Sequence, residues 1–226
     1  DETPDVLTVH TLQAWRLFAG KTRDPEGKTQ PIPGGKRQGW CLRKLWYLTE
    51  RDNPFAEWAL LLHERMHAET LKTLKEQVAQ AKQAMDALRE RGFKINLQRS
   101  SSPEDLVLGF RSPYSYAVGE LLMEFDLFVR YVSTLERKDQ LSGDDARQRI
   151  RAMSRRIRGN WIRIIRFTEV LTRPELEALG RGDFLPSADE LAGKRIDAAV
   201  QLLGAVPVQI LVGALVPRHT RRKGAM

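Results

Sequence analysis

From Pro54 to Arg91 the chain contains no further proline and no glycine. Asn53-Pro54 starts a helix well, with a capping Asn and a proline at the first helical position, and Gly92 is a natural stop. A helix over that span is about 57 Å long at 1.5 Å per residue. An element of this length commits the chain to a mainly helical fold. Leu71, Leu74, Val78, Ala81, Met85 and Leu88 recur at spacings of three and four. That is a coiled-coil-like apolar seam along its second half.

The same helix carries His63-Glu64-Arg65-Met66-His67, a literal H-E-x-x-H. On a helix this puts two imidazoles one turn apart, beside a carboxylate placed to activate a metal-bound water. A catalytic zinc also needs a third protein ligand. The helix positions facing the imidazoles are Leu60, Thr70 and Leu71, none of which binds zinc well. Glu90 lies about 35–40 Å farther along the axis, which leaves only remote carboxylates such as Glu104 or Glu120. The pentapeptide is therefore expected to be structural, with no metal and no cofactor. GxGxxG, GxxxxGK[ST] and G-x-S-x-G are all absent, and no catalytic residue is expected.

Around the long helix the elements are shorter. Val6–Thr11 suits a short strand or the start of a helix, and Leu12–Ala19 looks helical. Gly20–Gly35 is a loop rich in Gly and Pro. A helix from about Lys36 to Glu50 holds Trp40, Trp46 and Tyr47, which are expected in the core. Phe93–Gln98 alternates strictly, with Phe93, Ile95 and Leu97 on one face and Lys94, Asn96 and Gln98 on the other, as in a half-buried strand. Leu106–Phe110 alternates again and runs into a helix opened by Ser112-Pro113. Val118, Leu122, Phe125, Phe128 or Val129, Val132 and Leu135 form that helix's apolar stripe. Ser142-Gly143-Asp144-Asp145 caps the next helix, whose inner face is Ala146, Ile150, Met153, Ile157, Trp161, Ile164 and Leu171. Shorter helices are expected near Pro174–Leu179, Ala188–Leu203 and Val206–Leu215.

The outer face of the Ser142-capped helix is the strongest functional signal. Residues 146–166 contain eight arginines and no acidic residue. Arg147, Arg151, Arg155, Arg158 and Arg166 fall on one stripe, and Arg149, Arg156 and Arg163 form a second row. Solvated helix faces usually mix signs. An all-arginine face makes most sense against phosphate, which guanidinium binds bidentately. The whole chain agrees in sign, with 37 Lys+Arg against 29 Asp+Glu and a formal charge of +8. The RHTRRK stretch at residues 218–223 adds basic contacts.

A strand followed by two helices is the unit of the ribbon-helix-helix fold, in which strands of two protomers pair antiparallel and read the major groove. Two strands compete for the ribbon. The first offers Lys94, Asn96 and Gln98, with Arg99 beyond, all good base-reading types. The second directly precedes a helix, as the topology requires, but presents Asp105, Val107, Gly109 and Arg111. The two could also pair as a hairpin that only braces the helices. The fold expected is mainly α with a short β-ribbon or hairpin, a ribbon-helix-helix-like unit with extended and additional helices. Three regions follow: a helical region over 1–92, a DNA-binding unit over 93–173, and C-terminal helices with a basic tail over 174–226. The expected DNA contacts are Lys94, Asn96, Gln98, Arg99, Arg111, Arg147, Arg151, Arg155 and Arg158.

The remaining features bear on compartment. A single cysteine, Cys41, permits no internal disulfide and suits a reducing compartment. The acidic DETPDV start does not read as a signal peptide. Residues 198–217 carry no charge and match a membrane span in length. Pro207, Gln201 and Gln209 argue instead for two short buried helices joined at Gly204–Pro207. No membrane and no small-molecule substrate are expected, and the compartment expected is the cytoplasm.

Several stretches together resemble one family. They are LQAWRLFAG with the later PIPGG, NPFAEW opening the long helix, LVLGFRSPYSYAVGELLMEFDLFVRYV, and LLGAVPVQIL near the C-terminus. In these the chain is similar to the AcaB-like proteins of conjugative plasmids and integrative conjugative elements. The resemblance implies a DNA-binding ribbon-helix-helix regulator of conjugative transfer, an activator acting as a homodimer on double-stranded DNA. The alternative is a non-catalytic accessory or scaffold protein of the conjugation machinery, its arginine face meeting an acidic partner.

Overall fold

The computed structural model describes residues 4–22, 26 and 30–222. The middle of the Gly20–Gly35 loop and Lys223 of the basic tail lie outside the described residues. The elements in order are β1 (Val6–Val9), α1 (Leu12–Ala19), α2 (Gly35–Leu48), a 3-10 turn (Thr49–Arg51), α3 (Pro54–Glu90), β2 (Glu104–Val107), α4 (Pro113–Arg137) and α5 (Gly143–Leu171). Two 3-10 turns (Pro174–Leu176, Arg181–Phe184), α6 (Ala192–Leu203) and α7 (Val208–Leu211) follow. The fold is mainly helical with one two-stranded antiparallel ribbon, as the pattern predicts.

The long helix forms as the sequence requires. Asn53 Oδ1 accepts from Ala56 N at 3.0 Å, capping α3, and Gly92 ends the turn after it at φ 96°. Ser142 Oγ accepts from Asp145 N at 3.0 Å and donates to Asp145 Oδ2 at 2.7 Å, so α5 begins with a reciprocal cap. The stripe assigned to α4 is buried in full, from Val118 to Leu135.

Two compact units share the helices. Unit one comprises Asp1–Lys36, His67–Phe110 and Tyr116–Gly159; unit two comprises Arg37–Met66, Arg111–Ser115 and Asn160–Met226. In unit one, Ala81, Met85 and Leu88 of the α3 seam pack with Ile95 and Leu135, so part of this seam is covered within the chain. Buried Asp126 pins the turn between β1 and α1. Its Oδ1 accepts from His10 N at 3.0 Å and from Thr11 Oγ1 at 2.7 Å, while Thr11 caps α1 through Ala14 N at 3.2 Å. The neck of the Gly20–Gly35 loop is closed by paired backbone bonds between Lys21 and Ile32, both 2.8 Å.

The strands differ from the sequence expectation. β2 pairs with β1, in the register Val6↔Val107 to Val9↔Glu104, so no hairpin joins it to residues 93–98. That segment is irregular. Its backbone is satisfied by side chains: Arg89 Nε and Nη2 donate to Ile95 O at 3.2 and 3.0 Å. Arg130 Nε donates to Gln98 O at 2.8 Å, and Gln98 N donates to Thr134 Oγ1 at 3.0 Å. The alternation reflects burial of Ile95 against α3 and α4, and Phe93 is 56% exposed rather than inward.

Two further expectations are corrected in unit two. Trp40 and Tyr47 are 41% and 38% exposed, because α2 turns Gln38, Cys41, Leu42 and Leu45 inward. The chargeless stretch at 198–217 does form two short helices joined through Gly204 and Pro207, but they are not buried. Ala199 and Ile210 are inside, whereas Val208 and Val212 are 68% and 69% exposed. Among the described residues, no helix is long and apolar enough to cross a membrane.

Candidate nucleic-acid interface

The first half of α5 and the outer side of α1 enclose a groove of about 610 Å³ in unit one. Arg147, Arg151, Arg155 and Arg158 line it from α5, with Ile150 and Ser154 between them, and Gln13 and Arg16 line it from α1. Among the described residues no acidic side chain lines it. Arg147 is held by Asp144 at 2.5 Å, which is the cap region's own carboxylate. Arg151 and Arg155 form no ion pair among the described residues. Arg158 is half-buried and donates through Nη2 to Arg16 O at 3.2 Å, while its Nε is buried without a partner. Burial lowers its pKa from the ordinary guanidinium value. An anion entering the groove would relieve that cost.

Position on α1 is therefore part of the site. Ala14, Leu17 and Phe18 turn inward, which leaves Gln13 and Arg16 on the outer face one turn apart. Asp126 fixes where that helix begins, as described above. Gly34 fixes where it ends: a Cβ there would lie 2.3 Å from Phe18 O and 2.4 Å from Gly20 N.

A second cleft, of about 290 Å³, adjoins the groove through Gln13. His10, Gln98, Arg130, Ser133, Glu136 and Arg137 line it, so this cleft holds a carboxylate beside its cations. Burial lowers the Arg130 pKa, with the Arg99 charge adding to the effect and Asp126 opposing it. Of the expected base readers, Gln98 lines this second cleft, with its Oε1 buried. Lys94, Asn96 and Arg99 are exposed on the same irregular segment. Arg111 is exposed in unit two, just ahead of α4. The exposed face of the β1–β2 ribbon is Val6, Thr8, Asp105 and Val107, with Thr8 donating to Asp105 at 2.7 Å. It offers no cation or amide.

Arg16 and Gln13 escaped the sequence reading. A lone arginine on an eight-residue amphipathic helix carries no local mark. Its outward position beside Gln13 was legible, but its convergence on α5 was not.

The H-E-x-x-H residues have other work. In unit two, His63 is buried and meets Tyr114 edge-on at 6.1 Å. Glu64 Oε1 accepts from Tyr114 Oη at 2.6 Å and from Arg218 N at 2.7 Å. Burial and the Glu64 bond push the Tyr114 pKa up. In unit one, His67 Nε2 pairs with Glu120 Oε2 at 3.3 Å. Among the described residues no group of three or more His, Cys, Asp or Glu is placed to hold a metal ion.

A family model described as transcriptional regulator AcaB matches residues 2–222. Among solved structures, the crystal structure of selenomethionine-containing AcaB from uropathogenic E. coli is similar, with a TM-score of 0.53 and 16% identity. The match covers 92% of this chain and 94% of that one. At that identity the likeness is one of fold. No curated protein sequence matches the chain.

Proposed function

The chain belongs to the AcaB family of transcriptional regulators, and from that premise we propose that it binds duplex DNA through the groove between α1 and α5. The observation that carries this is the convergence of Arg16, Arg147, Arg151, Arg155 and Arg158 on one groove with no acidic wall. Such a site neutralises phosphate and positions a protein on DNA without reading sequence. Exposed Gln13 lines it, and an amide side chain reads adenine bidentately; Gln98, with its Oε1 buried, lines the adjoining cleft. Lys94, Asn96 and Arg99, exposed on the segment that carries Gln98, would extend the contact. Of the three regions, 93–173 carries the binding unit, with α1 of the first region completing it.

The order β2, α4, α5 is the strand-helix-helix order of the ribbon-helix-helix unit, but β2 pairs with β1 of its own chain and not with a strand of a second protomer. In this reading the ribbon serves assembly of a homodimer, since its outward face is aliphatic and acidic. Acting in the cytoplasm, the dimer activates the transfer genes of a mobile element.

The test is duplex binding measured against salt. Arg151→Gln with Arg155→Gln should weaken binding to all duplexes alike and flatten the log K against log salt slope by about 0.9 per lost contact. Gln13→Ala should instead relax preference for the specific site, by about 1–3 kcal/mol. Light scattering should give twice the 25.9 kDa chain mass. An unchanged slope with the paired arginine variant would sink the groove as the interface.

A further inference from the structure

A second surface, in unit two, has different chemistry. Along α2 and the turn after it, Arg37, Trp40, Lys44, Tyr47 and Arg51 follow one another at spacings of three, four, three and four. That spacing puts them on one helical stripe, cation and aromatic in alternation. All five are exposed, with Trp40 and Tyr47 keeping 41% and 38% of their surfaces. The cations dress the rings: Arg37 and Lys44 lie 4.6 and 5.4 Å from the Trp40 centroid, and Arg221 and Arg43 lie 4.7 and 5.5 Å from that of Tyr47, so a base stacking there displaces a guanidinium. No acidic residue occurs on α2. Among the described residues, carboxylates meet the stripe's own cations at its two ends, with Glu169 3.6 Å from Arg37 and Glu177 3.2 Å from Arg51, and Glu50 holds the Arg221 that lies over Tyr47 at 2.9 Å.

Beside Tyr47 opens a cavity of about 320 Å³. Tyr47, Leu48 and Leu171 give it aromatic and aliphatic walls, and Lys44, Arg51 and Glu177 stand around it. The size is at the lower end of small-ligand pockets, enough for one planar heterocycle.

We propose that this stripe binds single-stranded nucleic acid, with bases stacked on Trp40 and Tyr47, one of them in the cavity beside Tyr47, and phosphates on Arg37, Arg43 and Lys44. Exposed rings interleaved with cations are the two parts such a surface needs, because every base has a stacking face and every link has a charge. The rings stand about 10.5 Å apart along the helix, so the bases they take belong to nucleotides that are not adjacent, and both offer stacking faces that the bases of a duplex, already stacked on each other, cannot use. An acidic protein would use the cations but would gain little from rings set at this repeat. The surface is independent of the α1–α5 groove, and its failure would leave the duplex reading untouched.

The probe is a fluorescein-labelled oligothymidylate of about twelve nucleotides, followed by anisotropy with the full chain. Trp40→Ala and Tyr47→Ala should each weaken binding about tenfold, and Trp40→Phe and Tyr47→Phe should retain most of it. Duplex affinity should not change in these variants, and Arg151→Gln should leave the oligothymidylate site in place. Should an alanine variant fail to fold by circular dichroism, Lys44→Gln with Arg43→Gln reads the same site through its salt slope. Binding indifferent to both rings, or no binding at low salt, overturns the proposal. Displacement by polyglutamate at matched charge, as effective as by unlabelled oligothymidylate, overturns it in favour of an acidic protein partner.

Discussion

Glu57 sits in the first turn of α3 with its side chain 0% exposed. It accepts from Arg181 Nη2 at 2.6 Å and from Thr220 Oγ1 at 3.1 Å, and Arg222 Nε lies 3.8 Å away. Arg181 in turn donates to Asp52 and to the carbonyls of Leu211 at 2.8 Å and Ile210 at 2.6 Å. One buried carboxylate thus ties the start of α3 to α7 and to the C-terminal segment. Removing one member of a buried pair costs about 3–5 kcal/mol, since the other charge is left without compensation. Arg181 would keep Asp52, so Glu57→Ala should fall at the lower end, about 3 kcal/mol. For a chain of this size that lowers Tm by about 6–12 °C. Thermal circular dichroism reads the shift, and limited trypsin digestion at Arg218, Arg221 and Arg222 reads release of the segment. Pairing it with Arg181→Leu gives a cycle in which the double variant should lose less than the sum of the singles. A Tm within about 2 °C of the parent, or additivity within about 0.5 kcal/mol, would refute the reasoning.

Two other perturbations follow from the same geometry. Gly34→Ala drives a Cβ into Phe18 O and Gly20 N, both backbone, and should cost roughly 1–3 kcal/mol by thermal melt while weakening duplex binding through displacement of α1; Gly159→Ala, on α5 with open space around its Cβ, should instead gain about 0.5–1 kcal/mol. Burial pushes the Cys41 thiol from 9.0 up to about 11, so it should resist thiol reagents at pH 8 until the chain unfolds, and between about pH 9 and 11 stability should fall with rising pH, because the unfolded chain releases the proton that the folded one keeps.

What the sequence showed and what it hid divide along a physical line. Caps and periodicities are local, and they were legible: Asn53, Ser142 and Gly92 mark helix ends by their own chemistry, and the α4 stripe is buried as spaced. Pairing partners are not local. Residues 93–98 alternate because Ile95 packs against Met85 and Leu135, a burial pattern that a strand shares with any chain lying across two helices. What distinguishes them is where the backbone bonds go, and here they go to Arg89, Arg130 and Thr134. Charge placement shows the same limit. The α5 arginines were visible as a row, because one helix fixes their mutual spacing. Arg16 joins them only through the position of α1, which depends on Asp126 and Gly34, far away in sequence. Those two residues lie in stretches that also carry the family resemblance, FDLFVR and PIPGG. Asp126 holds the β1–α1 turn, and four residues on, Arg130 holds the Gln98 carbonyl. A motif read as a packing stripe thus anchors, from one face of α4, both the helix that completes the arginine groove and the segment that lines the adjoining cleft.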